Sequence, residues 1–327
     1  MKRFEVYLSK FLTHRKWSET LKNKTFLKDA SILARQAYSE TVDCLDEDES
    51  ESVKEMVKGA VKLKWLLSIK GKYLKEMSLF SKECGLDFEI FCGNLSYEIS
   101  KVFGSDSDFS WCSSIAMNTE RGPVLSRNLD WPLSSLKNKS IMIDFIGANA
   151  GPFTAITFPG FSGVLTGTAH ERFSASINMM IEDYGYDVHG TPVAFLLREM
   201  FEECETYEEA YEFLMESDVF SSAFIHLVGI EDDENCVVGL MTEEYENFSY
   251  EPDDEGLCIT NHVPDSDFSD EENEVDSVDR LDFANSNIGS VDTIKGAYKL
   301  MRKSPLKNEE TKHTVSMCAN TGEMLIS

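Results

Sequence analysis

The hydrophobic pattern divides the chain near residue 111. Before that point apolar positions recur every three to four residues, the spacing of an amphipathic helix. Residues 26–38 and 53–67 carry this period, and 72–80 and 87–103 continue it. An acidic stretch, Asp46-Glu47-Asp48-Glu49-Ser50-Glu51, lies between the first two as a solvated linker or helix start. Aspartates and serines at 105–110 then break the pattern as a polar loop. From Trp111 onward, short apolar runs bounded by Gly, Pro and Asn predict strands at 112–117, 124–130, 140–146, 153–158, 163–168 and 173–178. Thr191-Pro192 supplies a cap followed by proline at the first position of a helix reaching about residue 203. Thr206-Tyr207-Glu208-Glu209 is a capping box for the next helix, which reaches about residue 215. Strands resume at 223–230, 235–241 and 256–260, a last helix covers 278–302, and 313–319 with 323–326 reads as a closing hairpin. Strands, a helical pair, more strands and a helix fit two packed sheets with helices on their outer faces, an α+β architecture.

Two of these runs carry more than packing. Trp111-Cys112-Ser113-Ser114-Ile115-Ala116-Met117 and Pro123-Val124-Leu125-Ser126-Arg127-Asn128-Leu129-Asp130-Trp131 flank Asn118-Thr119-Glu120-Arg121-Gly122, a turn-rich cluster. Together they read as a β-hairpin. Antiparallel pairing would set a thiol, a guanidinium and a carboxylate along one strand edge. A thiol attacks as its thiolate, which calls for a neighbouring base or positive charge. Arg127 would supply the charge and Asp130 would orient a base, but no histidine lies in this part of the sequence. The cysteine's own α-amine is an alternative base. Once the Trp111–Cys112 bond is cut, an amine of pKa about 7.7–8.0 stands one Cα from the sulfur. Before the cut that atom is a peptide nitrogen without basicity, so the uncut chain would be inactive. Without this context, a cysteine opening a strand reads as core.

Composition narrows the partners. The 327 residues allow one large domain, or one with a helical attachment. A net charge of -27 repels phosphate backbones and anionic lipid surfaces, so nucleic acid is excluded as a partner. The eight cysteines form no C-x-x-C pair, which argues against a disulfide scaffold or a zinc site. No apolar run is long enough for a transmembrane segment. The basic start of the chain lacks an apolar stretch because Glu5 and Lys10 interrupt it, so a cytoplasmic protein is expected. Residues 265–270 hint at a calcium loop, but the glycine and the terminal glutamate are missing, and a solvated loop is the better reading. No metal or organic cofactor is called for.

The hairpin, with its Trp-Cys-Ser-Ser-Ile and Arg-Asn-Leu-Asp-Trp, resembles the choloylglycine hydrolase superfamily of N-terminal-nucleophile amidases. The resemblance is closest to the acid ceramidase and N-acylethanolamine-hydrolysing acid amidase branch. Further similar blocks are Gly85-Leu86-Asp87 with Asn94-Leu95-Ser96-Tyr97-Glu98, Phe173-Ser174-Ala175-Ser176-Ile177-Asn178, Leu196-Leu197-Arg198-Glu199 and Ile259-Thr260-Asn261-His262. They follow the family's order over nearly the whole chain. Ser126 departs from an expected glycine, and the hairpin is one residue shorter than usual.

The resemblance implies a four-layer αββα sandwich of two antiparallel sheets. Residues 1–111 would be a helical pro-segment and 112–327 the catalytic domain. It implies autoproteolysis between Trp111 and Cys112, then hydrolysis of a linear amide in an N-acylated small molecule through a thioester. Cys112 would be the nucleophile, Arg127 would steady the thiolate, and Asp130 would hydrogen-bond the new α-amine. Asn261 would be an oxyanion donor and Asn178 the second, with Arg280 supporting Asn261 at the rim. Read as plain structure, Asn178 caps a turn, Asn261 sits in an Asn-His turn and Arg280 is a surface residue. The fragments would stay associated after cleavage. Penicillin V acylase or bile-salt-hydrolase-like activity is the neighbouring alternative. Two other classes compete: a papain-like hydrolase pairing Cys112 with His170 or His262, and an unprocessed, non-catalytic binding protein on the same scaffold.

Overall fold

The computed structural model describes residues 1–7, 23–43, 69–86, 88–98, 111–182, 184–242, 244–252, 256–264, 266–270 and 276–327. The helix expected at 53–67 and the polar loop at 105–110 lie outside them. The chain opens not on a helix but on a strand, β1 (Lys2–Tyr7). Its alternation is visible in hindsight: Phe4 packs against the core and Val6 is buried, while Arg3 and Glu5 turn outward. Three helices follow, α1 (Lys24–Asp43), α2 (Gly71–Cys84) and α3 (Phe88–Asn94). In the expected helix 87–103, the last of these ends at Asn94 and a further turn covers 96–98, while 87 and 99–103 lie outside the described residues.

Next comes the hairpin of β2 (Cys112–Met117) and β3 (Val124–Asp130), then β4 (Ile141–Ile146), β5 (Phe153–Thr157), β6 (Thr166–Ala169) and β7 (Phe173–Met179). Helices α4 (Val193–Glu203) and α5 (Tyr207–Met215) interrupt the strands. Pro192 stands at the N-cap of α4 rather than inside it, so this helix starts one residue later than expected. The capping box of α5 forms, with the Thr206 hydroxyl accepting the Glu209 N–H at 3.2 Å. Strands β8 (Ala223–Val228), β9 (Asn235–Leu240), β10 (Phe248–Tyr250) and β11 (Leu257–Ile259) follow. The expected single helix over 278–302 is two, α6 (Ser277–Ile288) and α7 (Ile294–Met301). The break falls where Thr293 caps the second helix by accepting the Gly296 N–H, a local hydrogen bond that competes with helix continuation. Strands β12 (Thr311–Cys318) and β13 (Glu323–Ile326) close the chain.

The strands form two sheets, one of eight in the order β1-β4-β5-β6-β7-β8-β9-β10 and one of five in the order β11-β2-β3-β12-β13. Pairing is antiparallel except at one edge, where β1 runs parallel to β4. The two sheets are antiparallel as expected but for this edge strand, where the N-terminal helices and the β2–β3 hairpin of the other sheet lie between β1 and β4 and form the long crossover that parallel pairing requires. Helices α4 and α5 lie against the eight-stranded sheet, and α6 and α7 against the five-stranded one, which makes four layers.

The alternation of β2 sets what each face meets. Ile115 and Met117 pack with Val124, Leu281, Ala284 and Leu300 under α6 and α7. Ala116 packs with Leu125, Ile156, Val228 and Val315 between the sheets. With a period of two, Cys112 and Ser114 share the inter-sheet face with Ala116. Both faces of β2 and β3 are buried, so their polar residues Ser113, Ser114, Arg127, Asn128 and Asp130 lie inside the protein.

The N-terminal helices close one side of the sandwich. Asn94 at the end of α3 donates to Ile90 O at 2.8 Å and to Gly160 O at 2.9 Å, and it accepts the Ser162 N–H at 2.5 Å. Phe26 of α1 contacts Phe4 of β1, with ring centroids 5.1 Å apart.

Candidate active site

The hairpin register places Cys112 opposite Leu129, Ser113 opposite Asn128 and Ser114 opposite Arg127. Cys112 and Arg127 therefore point into the space between the sheets, while Asp130 belongs to the face covered by α6 and α7. The expected shared edge is divided: thiol and guanidinium meet, and the carboxylate lies behind them. Arg127 is 1% exposed and Cys112 2%. The Arg127 Nη2 donates to Cys112 Sγ at 3.0 Å and to Ile177 O at 2.8 Å, and its Nη1 donates to Thr166 Oγ1 at 2.5 Å. The arginine thus reaches across from β3 to β6 and β7, and it presents a cation to the sulfur.

The cysteine's backbone is held separately. Its N–H donates to Asn261 Oδ1 at 2.8 Å, and Arg280 Nη2 donates to the same oxygen at 2.9 Å. Arg280 Nη1 donates to Cys112 O at 2.6 Å and to Ser113 Oγ at 2.8 Å. Arg280 is fully buried on α6, so the surface reading of this residue fails. Asp276 accepts from its Nε at 2.8 Å. Trp111, half-buried, accepts the Asp130 N–H at its carbonyl at 3.0 Å. The bond expected to be cut therefore has its carbonyl held from one side and its nitrogen from the other.

Three expected contacts take a different form. Asp130 does not bond the Cys112 nitrogen. One of its carboxyl oxygens accepts from Asn308 at 3.0 Å, and burial pushes its pKa up to about 6 against the pull of Arg280, Thr311, Arg127 and Asn308. Asn261 instead occupies that position at the nitrogen. Its own Nδ2 donates to Met179 O at 2.8 Å. Asn178 donates both amide hydrogens to carbonyls of β11 and its end, Ile259 O at 3.1 Å and Thr260 O at 3.0 Å, and so ties β7 to the other sheet. This leaves its side-chain N–H groups engaged rather than aimed at the thiol.

Neither histidine of the papain-like alternative bonds Cys112. The His262 ring turns to Ser277 Oγ at 2.9 Å and stacks on Phe268, and burial lowers its pKa. His170 borders a groove lined by Arg3, Asp144, Thr154 and Met324, on the side of β13 rather than β11. Among the described residues no cluster of three or more His, Cys, Asp or Glu side chains is placed to hold a metal ion. Asp270, from the calcium-like run, accepts the Val278 and Asp279 N–H groups at the start of α6. No described helix is long and apolar enough to cross a membrane.

Several residues here had no role in the sequence reading. Ser114 Oγ lies 2.9 Å from His226 Nδ1, and Asn235 Oδ1 holds the other ring nitrogen at 3.1 Å, while burial pulls His226 down to about 4. Tyr97, from the N-terminal segment, donates to Ser222 O at 3.1 Å beside β8. Burial, Glu98 and Cys112 push its phenol well above the usual range. The adjacent Glu98 is buried and pushed up to about 8. A narrow cleft of about 30 Å³, lined by Leu33, Ile90, Trp131, Leu133, Phe158 and Phe161, lies between the N-terminal helices and the sandwich. Such residues come together only across layers; the one local sign was Ser113-Ser114, two polar residues inside a buried strand.

Comparison with known proteins adds a family. Residues 117–317 match the model of the acyl-coenzyme A:6-aminopenicillanic acid acyl-transferase family, a stretch that begins just after Cys112. The chain is 28% identical over 181 residues to an N-acylethanolamine-hydrolyzing acid amidase of Caenorhabditis elegans, covering 50% of this chain and 49% of that protein. It is 28% identical over 197 residues to the acid ceramidase of Rattus norvegicus, covering 52% and 48%. The matches thus span about half the length of these relatives. A solved structure of a Caenorhabditis elegans N-acylethanolamine-hydrolyzing acid amidase ortholog aligns with a TM-score of 0.53 at 22% identity, over 64% of this chain and 93% of that one. It has the same fold of two packed sheets.

Proposed function

The chain belongs to the acyl-coenzyme A:6-aminopenicillanic acid acyl-transferase family, and from that membership and the surroundings of Cys112 we propose that it is a self-cleaving cysteine amidase. In the first step the Cys112 sulfur attacks the Trp111 carbonyl carbon, the carbon–nitrogen bond breaks, and the nitrogen takes the thiol proton. Water then hydrolyses the thioester, releasing the Trp111 carboxylate and leaving Cys112 with a free amine. That amine, of pKa about 7.7–8.0 when unperturbed, accepts the thiol proton in each later turnover. The sulfur attacks the substrate's amide carbonyl, the protonated amine product leaves, and water frees the acid from the thioester.

The observation that carries this reading is the pair of contacts at Cys112: Arg127 at the sulfur at 3.0 Å and Asn261 at the nitrogen at 2.8 Å. A guanidinium favours the thiolate. The Asn261 carbonyl oxygen accepts from the nitrogen and so aims the freed amine's lone pair away from itself, with Arg280 fixing that oxygen. Asp130, at the back of the hairpin, would assist the amine once the cut frees the backbone. For the oxyanion, the donors are side chains now engaged, Asn261 and Asn178, released as the substrate enters.

Residues 1–111 act as the pro-segment and 112–327 as the catalytic domain in this reading. The two fragments stay joined because Glu76 and Lys72 of α2 pair with Arg198 and Glu202 of α4 in a buried cluster. The substrate class is an N-acylated small molecule of the fatty-amide kind, by analogy with the relatives' names. An acyl chain outsizes the narrow cleft, so the N-terminal helices must shift to admit it.

Intact-mass measurement of the purified chain and of Cys112→Ala, followed by incubation of both with a fluorogenic fatty amide, tests the proposal. The wild type is expected to give two fragments divided at 111/112 and to release the fluorophore. Cys112→Ala is expected to remain whole and to lose the activity by about 10³-fold or more. An uncut wild type that matches Cys112→Ala in rate overturns the reading in favour of the non-catalytic scaffold.

A further inference from the structure

We propose that Arg127 Nε and His313 Nε2 form a polar subsite beside the acyl path from Cys112, which selects amides whose acyl group carries a hydroxyl. The inference rests on the amidase reading above and deepens it. His313 stands opposite Leu129 in the β12–β3 register, and Leu129 stands opposite Cys112. Side chains in such a row share one face, so the imidazole points into the same inter-sheet space as the thiol. Two strand spacings set its backbone about 10 Å from that of Cys112. Val315, two residues on, faces Arg127, which makes Arg127 the diagonal neighbour of His313 on the same face.

The ring is fixed at one end and bare at the other. Its Nδ1 lies 3.0 Å from Ser140 Oγ. Its Nε2, though buried, has no hydrogen-bond partner among the described residues, and neither does the buried Nε of Arg127. Polar atoms this deep are normally paired, and leaving two of them bare on one face is unfavourable. Around them the surface is apolar. The His313 ring centroid lies 6.3 Å from that of Phe158, which in turn meets Trp131, and both aromatics line the narrow cleft. The proposed acyl path runs from the thiol past Leu129 toward this cleft and so along the face that carries the two nitrogens.

The chemistry that satisfies them is specific. Burial and the Arg127 charge hold His313 neutral, so its Nε2 is a donor or an acceptor according to the tautomer that Ser140 sets. A hydroxyl oxygen accepts from Arg127 Nε–H and either accepts from Nε2–H or donates to a bare Nε2. A methylene does neither.

The test compares matched fluorogenic acyl amides of one chain length, plain or bearing a hydroxyl at successive carbons, with the wild type, His313→Phe and His313→Gln. Intact mass confirms that each variant is processed. The wild type is expected to prefer one hydroxy isomer over the plain chain by about tenfold in kcat/KM, the scale of one buried hydrogen bond. His313→Phe should bring that ratio to about one by slowing only the hydroxylated substrate, and His313→Gln should keep part of it. Cleavage of all the amides with no isomer preferred, or a ratio unchanged in His313→Phe, overturns the subsite and leaves the amidase reading intact. If the wild type cuts none of them, the amidase reading falls and the subsite with it. Should His313→Phe misfold, the wild-type ratio and His313→Gln still decide.

Discussion

Arg198 and Arg127 are each 1% exposed, yet their surroundings are opposite. Arg198, on α4, donates to Glu76 at 2.5 and 2.9 Å, to Glu202 at 2.9 Å and to Ser162 O at 2.6 Å, and lies over the rings of Tyr73 and Phe145. Burial works against its charge, but the two carboxylates outweigh it and raise its pKa. Arg127 has neutral hydrogen-bond partners, a hydroxyl, a carbonyl and the thiol. One cation is fully compensated and serves to join helices from the two halves of the chain. In the proposed mechanism the other is left for the negative charge that forms at Cys112. Depth of burial therefore says little about an arginine's role; the formal charge of its partners says more.

The sharpest way to break this comparison is to remove each guanidinium. Arg198→Met leaves the buried Glu76 without its cation and Glu202 with Lys72 alone, and we expect a stability loss of about 3–5 kcal/mol by urea denaturation. Replacing Glu76 and Glu202 by Leu in the same chain should return most of it, since a well-packed apolar cluster of similar volume replaces the network. Arg127→Met strands no acid directly bonded to it. We expect a stability change below about 2 kcal/mol but a loss of amide hydrolysis of about 10²–10³-fold, the scale of a lost charge-stabilising donor. Equal stability losses in the two variants would dissolve the distinction.

Glu98 is the converse case, a buried acid with no bonded cation among the described residues. Burial raises its pKa from 4.5 to about 8, opposed only by nearby backbone groups. Its stability contribution is fully present below about pH 4.5 and is lost as pH rises through about 8, because the unfolded chain ionises first. Glu98→Gln keeps the neutral shape. At pH 7.5 it should therefore stabilise the chain by about 2–4 kcal/mol and flatten the fall in stability between pH 5 and 8. Parallel pH profiles for the wild type and the variant would refute this.

The smallest effect concerns the anchor of Arg127. Thr166→Val removes the hydroxyl that accepts from Arg127 Nη1, and should cost about 1 kcal/mol in stability. A several-fold slower amidase, with cleavage at 111/112 retained, would show that Thr166 only aims the guanidinium. A rate equal to the wild type would show that Ile177 O and the thiol suffice to hold it.

By itself the sequence determined the elements and the chemical cast. Period and punctuation located the hairpin of β2 and β3, the helices α4 and α5 with the capping box of α5, and the strands of both sheets other than β1 and β10, because these signals are local. The same pattern gave Cys112, Arg127 and Asp130 as neighbours in one hairpin. The tertiary structure alone decided how they are divided. A pleat of period two sends Cys112 and Arg127 to one face and Asp130 to the other, and no local signal says which face meets a second sheet. The parallel pairing of β1, the pairing of Arg198 with Glu76 over 122 residues, the Asn261 contact to the Cys112 nitrogen over 149 residues and the position of His313 beside Arg127 all depend on layers that pack only after the chain has closed. Contacts of that separation are set by burial and hydrogen-bond satisfaction across the whole core, and spacing along the chain does not record them.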